Sequence, residues 1–209
     1  MNQTEICNLA LQRVGILQPI ASINEASNQA RACKAAYTPS LQLMLRERNW
    51  PFAQRTVSLA LVGENLHPEW FYTYRYPSNY VVIQKVLPAS DDSGDTVNIL
   101  TADRQALPDT YPYMIGSDSS GRLIHTDIED AIVVGAYLNT DTAQFDPMFA
   151  NALAWRIAHE VSLPLAKSRD IRNDCLVQYM SAVSDAFSTS LNEPEPRDRA
   201  DATSITARE

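Results

Sequence analysis

The hydrophobic period of this chain changes twice, and those two changes limit its fold more than any other feature. Up to Asn49 the apolar residues recur three and four positions apart, the spacing that lines one face of a helix. Within RNWPFAQRTVSLAL (Arg48 to Leu61) the pattern turns to alternation and short apolar runs, which belong to strands, and at FDPMFANALAWRIAHEVSLPLA (Phe145 to Ala166) helical spacing returns. The reading is an α+β fold with a β module inserted between helix pairs.

The first helix is expected over residues 4–17 (TEICNLALQRVGIL), with Ile6, Leu9, Ala10 and Val14 on one face. Thr4 or Asn2 can cap its start and Gly15 its end. A second helix from about Asn28 to Asn49 buries Ala30, Cys33, Tyr37, Leu41, Met44 and Leu45, and Pro39 predicts a kink or a restart capped by Thr38. Asp146 followed by Pro147 marks the start of a third helix, with the stripe Phe149, Leu153, Ile157 and Val161 flanked by Ala150, Ala154 and Ala158, and Pro164 as its end. A fourth helix is expected from about Ser168 to Ser188, with Ile171, Cys175, Tyr179, Ala182, Val183 and Ala186 inward.

Between them, TVSLAL, WFYTYRYP, YVVIQKVL, TVNILTA, GRLIHTD and AIVVGAYLN read as strands of one antiparallel sheet or barrel-like module, with loops at ENLHPE, ASDDSGD and GSDSSG. Pro77 cannot donate to a ladder and belongs at an edge or corner. The expected organisation is a discontinuous four-helix bundle (residues 1–50 and 146–188), an inserted β module (51–145) and a free tail (189–209) too poor in bulky apolar residues to order itself. Trp50, Pro51 and Phe52 form the hinge between bundle and module.

Composition narrows the function classes. The chain has 209 residues, 45% hydrophobic and 20% charged, and no apolar run approaches the roughly 20 residues that span a bilayer. The amino terminus lacks the features of a signal peptide, so synthesis in the cytosol is expected. A net charge of −8 opposes gripping nucleic acid by its phosphates. That charge is uneven: residues 1–90 hold 8 basic and 5 acidic side chains, and the rest hold 9 and 20. One mildly basic end and one acidic end imply opposite partners. Cys7, Cys33 and Cys175 lie far apart in sequence and read as buried free thiols.

Chemical motifs are sparse. His159 and Glu160 begin a zinc-protease HExxH, but position 163 is Leu163, and His67 and His125 show no ligand spacing. Neither a GxSxG elbow nor a glycine-rich phosphate loop is present. Asp91–Asp92 and DIED (Asp127 to Asp130) supply paired carboxylates of the kind glycoside hydrolases use, with turn chemistry as the plainer role. The run WFYTYRY (Trp70 to Tyr76) reads as two faces of one strand, with Trp70, Tyr72 and Tyr74 as a candidate protein contact. The chain is therefore expected to be no enzyme and to need no cofactor or metal.

Taken in order, ICNLALQRVG, ILQPIASINEASNQARACKAAY, RNWPFAQRTVSLAL, YRYPSNYVVIQKV and FDPMFANALAWRIAHEVSLPLAKS resemble the tail tubular protein A family of short-tailed bacteriophages, from Glu5 to about Ala186. The resemblance implies a head-to-tail adaptor, typically a ring of about twelve copies, joining the portal to the tail nozzle while DNA passes through the lumen. It implies a virion location, helices toward portal and ring neighbours, and strands toward the nozzle. The tail, with Leu191, Pro194, Arg197 and Arg199, would reach between portal subunits, as in some head-completion proteins. The alternatives are a tail-associated cell-wall hydrolase (a muramidase) and a neck or stopper protein of a long-tailed phage.

Overall fold

The computed structural model describes residues 1–89 and 110–190. These form a mixed helix and sheet fold, with four α-helices and two antiparallel sheets among the described residues. The expected strand TVNILTA and the tail residues Leu191, Pro194, Arg197 and Arg199 lie outside them.

Helix α1 (Gln3–Arg13) starts at a capping box: the Asn2 side chain accepts from the Glu5 N–H, and the Glu5 carboxylate accepts from the Asn2 N–H. It ends four residues before the expected residue 17. Gly15 (φ 83°) donates to the Gln12 carbonyl and Ile16 to that of Leu11, the paired bonds that terminate a helix through a left-handed residue. Helix α2 (Asn28–Glu47) is capped by Ser27 and runs unbroken through Pro39, so the expected restart at Thr38 does not occur. Pro39 is exposed, which leaves the Ala35 carbonyl that it cannot bond on the solvent side. Helix α3 (Pro147–Val161) starts on Asp146, whose carboxylate accepts from the Met148 and Phe149 N–H groups. Pro164 does not stop the helical backbone. It sits in a π turn (Ser162–Ala166) that ends at Lys167, in the left-handed region. Helix α4 spans Arg169–Ser190.

Helix α3 is apolar over most of its circumference because it touches α1, α2 and α4. Residues from all four helices share one hydrophobic cluster, including Ile6, Leu11, Leu41, Met44, Leu153, Ile157 and Val183. Polar bonds tie the two ends of the chain as well. Arg13 donates to the carbonyl and side chain of Asn151 and lies 4.0 Å over the Trp155 ring, and Tyr179 donates to Glu47.

The expected single sheet is two. β1 (Gln54–Ser58), β7 (Ala131–Tyr137) and β4 (Tyr80–Pro88) form one in the order β1-β7-β4; β2 (Ala60–His67), β3 (Trp70–Arg75), β6 (Gly121–Thr126) and β5 (Met114–Asp118) form the other in the order β2-β3-β6-β5. TVSLAL splits at Leu59, where the chain passes from one sheet to the other, and YRYPSNYVV splits at Pro77 in the same way. ENLHPE and GSDSSG, expected as loops, are largely strand. Asp118 pairs with Gly121 and His67 with Trp70, which leaves only two-residue turns at Ser119–Ser120 and Pro68–Glu69. Tyr74, Ile83, Val86, Ile124 and Val133 from both sheets form a second hydrophobic cluster between them.

The chain leaves and re-enters the helical cluster at one place. β1 follows Trp50 through a single 3-10 turn (Pro51–Ala53) and pairs antiparallel with β7, which leads back through Phe145 to α3. Trp50 is 1% exposed and donates its indole N–H to the Met44 carbonyl at 2.8 Å. Its ring meets Phe149 edge-on at 4.8 Å, and Phe52 packs on both Phe149 and Phe145. Pro51 is exposed and sets the turn.

Replacing Trp50 by alanine removes a full indole and a buried hydrogen bond. The expected loss is about 3–5 kcal/mol, read as a fall of roughly 10 °C in melting temperature. Gly135→Ala offers a second check, because the added Cβ would lie 2.4 Å from the Val82 carbonyl oxygen and push β4 off β7. Chemical denaturation should place that cost at about 1–3 kcal/mol.

Candidate interaction surfaces

Strand β3 carries the residues that the sequence marked as a contact, and the pleat divides them. Tyr72 and Tyr74 face the second cluster, while Phe71, Thr73 and Arg75 face the other side of the four-stranded sheet. Tyr74 is removed from the candidate contact: it is 2% exposed, its hydroxyl donates to the Ile128 carbonyl at 2.8 Å, and it packs in the core. Tyr72 is half-buried, and partial desolvation followed by the Glu129 and Glu64 carboxylates holds its phenol above the ordinary value. Trp70 is half-buried, with a buried indole N–H that has no partner.

The exposed residue of the run is Phe71, at 63%. Sequence reasoning passed over it because it lies between two larger aromatics. Its signal was the alternation itself, which puts position 71 on the opposite face from 72 and 74. Leu61, Val62 and Leu66 of the same β2–β3 hairpin are also exposed. β2 is an edge strand, kept off a regular ladder by two irregularities in its register. A second exposed apolar pair, Val177 and Met180, lies one turn apart on α4.

The outer face of the four-stranded sheet also joins two histidines far apart in sequence. The His67 and His125 rings lie 4.9 Å apart, Thr73 Oγ1 is 3.0 Å from His125 Nδ1, and the Glu69 N–H donates to His67 Nδ1. Gly116 makes the space, since a Cβ there would lie 2.5 Å from His125 Nε2. No third metal-ligating side chain joins them among the described residues.

The remaining motif residues have structural partners. His159 donates from Nδ1 to the Arg172 carbonyl, and Glu160 pairs with Arg156 one turn away. Asp127 accepts from the Phe71 N–H of β3, a contact between segments far apart in sequence, and Asp130 adopts a positive φ in a turn, while Asp91 and Asp92 fall outside the described residues. Two open clefts flank α2. One of about 700 Å³ separates it from the β4 and β7 ends and is lined by Leu43, Arg46, Tyr80, Val81 and Leu138; one of about 600 Å³ lies beside Ile16, Ala32, Pro164 and Lys167. No described helix is long and apolar enough to cross a membrane.

No protein-family model matches this chain, and neither does any curated protein.

Burial, and then neighbouring His67, hold His125 below the ordinary imidazole value. Neutral His125 therefore contributes stability that is complete above the unfolded value of about 6.5 and is lost as pH falls through the depressed folded value. Melting curves in mildly acidic buffers should show this loss, and His125→Gln should flatten it. Asp118 acts in a separate window. Its pair with Arg75 holds it at about 2, so its contribution is present above the ordinary carboxylate value and is lost only as pH falls toward that figure.

Proposed function

We propose that this chain is a structural head-to-tail adaptor of a short-tailed phage, a subunit of a ring of roughly twelve copies that joins portal to nozzle and lets DNA pass. The observation that carries the reading is the two-ended build. Both ends of the chain contribute helices to one hydrophobic cluster, and a separate sandwich of strands is fastened to it at an aromatic junction, with β4 and β7 also touching α2. A joining protein needs two different faces held in fixed relation, and a closed ring needs two more that complement each other.

In this reading the four helices act as one bundle, made of residues 1–50 and 146–188, that meets the portal and the neighbouring subunits. Val177 and Met180 on the outer side of α4 are apolar anchors of the size that such contacts use. The inserted β module (51–145) turns its β2–β3 hairpin toward the nozzle, with Phe71 and Leu66 leading. Tail residues Leu191, Pro194, Arg197 and Arg199 reach toward the portal. An acidic lumen would let DNA slide without sticking. The protein is made in the host cytoplasm and resides in the virion, as a scaffold without catalytic, cofactor or membrane duties.

Sedimentation velocity on the pure protein, and on a mixture with its portal, is the direct test. A ring or a portal-bound complex is expected, and monomer in both experiments overturns the proposal. Phe71→Glu separates surface from core: melting should stay within about 1 °C of the parent while nozzle binding is lost, because a solvent-facing charge leaves the packed interior intact.

A further inference from the structure

Helix α4 ends at Ser190, where it still lies against the body of the protein. Phe187, in its last turn, meets the Trp50 ring edge-on at 6.0 Å, the Arg48 guanidinium sits 5.2 Å over the Phe187 ring, and Ser190 is buried. Arg48 is the C-cap of α2. Two residues earlier, in the last turn of that helix, Arg46 lines the cleft of about 700 Å³ between α2 and the start of β4. The end of α4 and the cleft therefore share one landmark, the C-terminal turn of α2.

The lining of that cleft is largely apolar with a single charge. Leu43, Val81 and Leu138 form its apolar part; the last two also pack on the helical cluster, while Leu43 is 48% exposed and lies outside the buried face of α2. Arg46 is the one charged side chain among the described lining residues, and no described carboxylate pairs with it. Such a surface fits a short acidic segment that carries an apolar anchor.

The sequence places one immediately after Ser190. LNEPEP (Leu191 to Pro196) holds two carboxylates, no cation and one leucine, and the next bulky aliphatic residue is Ile205. We propose that this segment docks in the cleft of its own chain, with Leu191 and the prolines covering Leu43, Val81 and Leu138 and with Glu193 and Glu195 beside Arg46.

Reach and entropy both favour a segment of the same chain. Six residues of extended chain span about 20 Å, and a helix with its side chains is about 10–12 Å across, so the segment can pass from the end of α4 around α2. The volume suits a few side chains rather than a folded partner, since sites of about 300–1,000 Å³ take compact ligands. A tether this short holds the segment near the cleft at an effective concentration on the order of millimolar. Weak contacts then suffice. Pro194 and Pro196 hold φ near about −65° whether docked or free, which lowers the cost of ordering. A segment from a second copy has no such advantage in dilute solution.

The docking does not depend on the adaptor reading. Within it, Leu191 and Pro194 would exchange the cleft for the portal on assembly, and the cleft would shelter an apolar anchor until then.

Photo-cross-linking of the full chain tests the contact. Leu43, already exposed, is replaced by the photoreactive benzoyl derivative of phenylalanine, and the illuminated protein is sized under denaturing conditions and mapped by mass spectrometry. A species of monomer mass whose linked peptides hold position 43 and residues 191–196 is expected. Hydrogen exchange gives a second readout at residues 78–81. Arg46→Glu should raise exchange there by about threefold or more while α1 and α3 stay unchanged, and adding Glu193→Arg with Glu195→Arg should restore the parent rate. A link of dimer mass, a link elsewhere in the chain or no link overturns the proposal, as does exchange that the reversed charges fail to restore. If the Leu43 variant does not fold, the exchange experiment decides alone.

Discussion

The packing of Trp50 and Phe52 against Phe149 and Phe145 is the contact on which the rest of this architecture depends. Any inserted module must leave its host and return, and the two crossings must be held together or the module swings. Here the outgoing and returning segments are joined twice, by aromatic rings packed edge-on and tilted and by the antiparallel pairing of β1 with β7. Each device supports the other. The rings set the spacing of the two crossings, and the strand ladder prevents them from rotating. The indole N–H bond to Met44 adds a directional element, because it fixes Trp50 against the last turns of α2 as well as against α3.

This junction explains the placement of the polar contacts. Arg13 with Asn151 and Trp155, and Tyr179 with Glu47, each join a helix before the insertion to one after it. Such bonds contribute modestly in free energy, but they select one register of helix packing among several that hydrophobic burial alone would allow. In the strand region the same task falls to Arg75 and Asp118, whose paired bonds of 2.8 and 2.9 Å span from β3 to β5 across β6. The hairpin beyond them keeps its apolar side chains outward, and this edge has the least internal reason to be apolar.

The seam between α1 and α2 is a different kind of place. Cores favour groups that need no partner, and here Cys7, Cys33 and Tyr37 are buried where aliphatic side chains would pack without polar cost, the Tyr37 hydroxyl without a hydrogen-bond partner. Neither cysteine has a partner at a characteristic spacing. The Asn8 side chain accepts from the Ile20 N–H and donates to the Ile20 carbonyl, which ties the connection after α1 back to that helix.

What the sequence by itself determined is local. The helices at both ends, the caps at Asn2 and Asp146, the termination at Gly15 and the strand character of the middle all follow from side-chain period and backbone preference within a few residues. Strand pairing was not legible in the same way. TVSLAL read as one strand and the break at Pro77 as an edge or corner, but at both places the chain changes sheet, because a bend at Leu59 or Pro77 looks the same in sequence whether the chain resumes its sheet or changes to another. β5 was hidden by MIGSD, whose glycine and aspartate mark a turn until the His125 ring, reaching across to Gly116, demands a residue without a side chain there. At the candidate surface, residue type pointed to Tyr74 but the pleat selected Phe71, and only tertiary structure brought His67 to His125. Local preference is decided by neighbours along the chain, whereas pairing and burial are decided by groups that meet only after the chain has closed on itself.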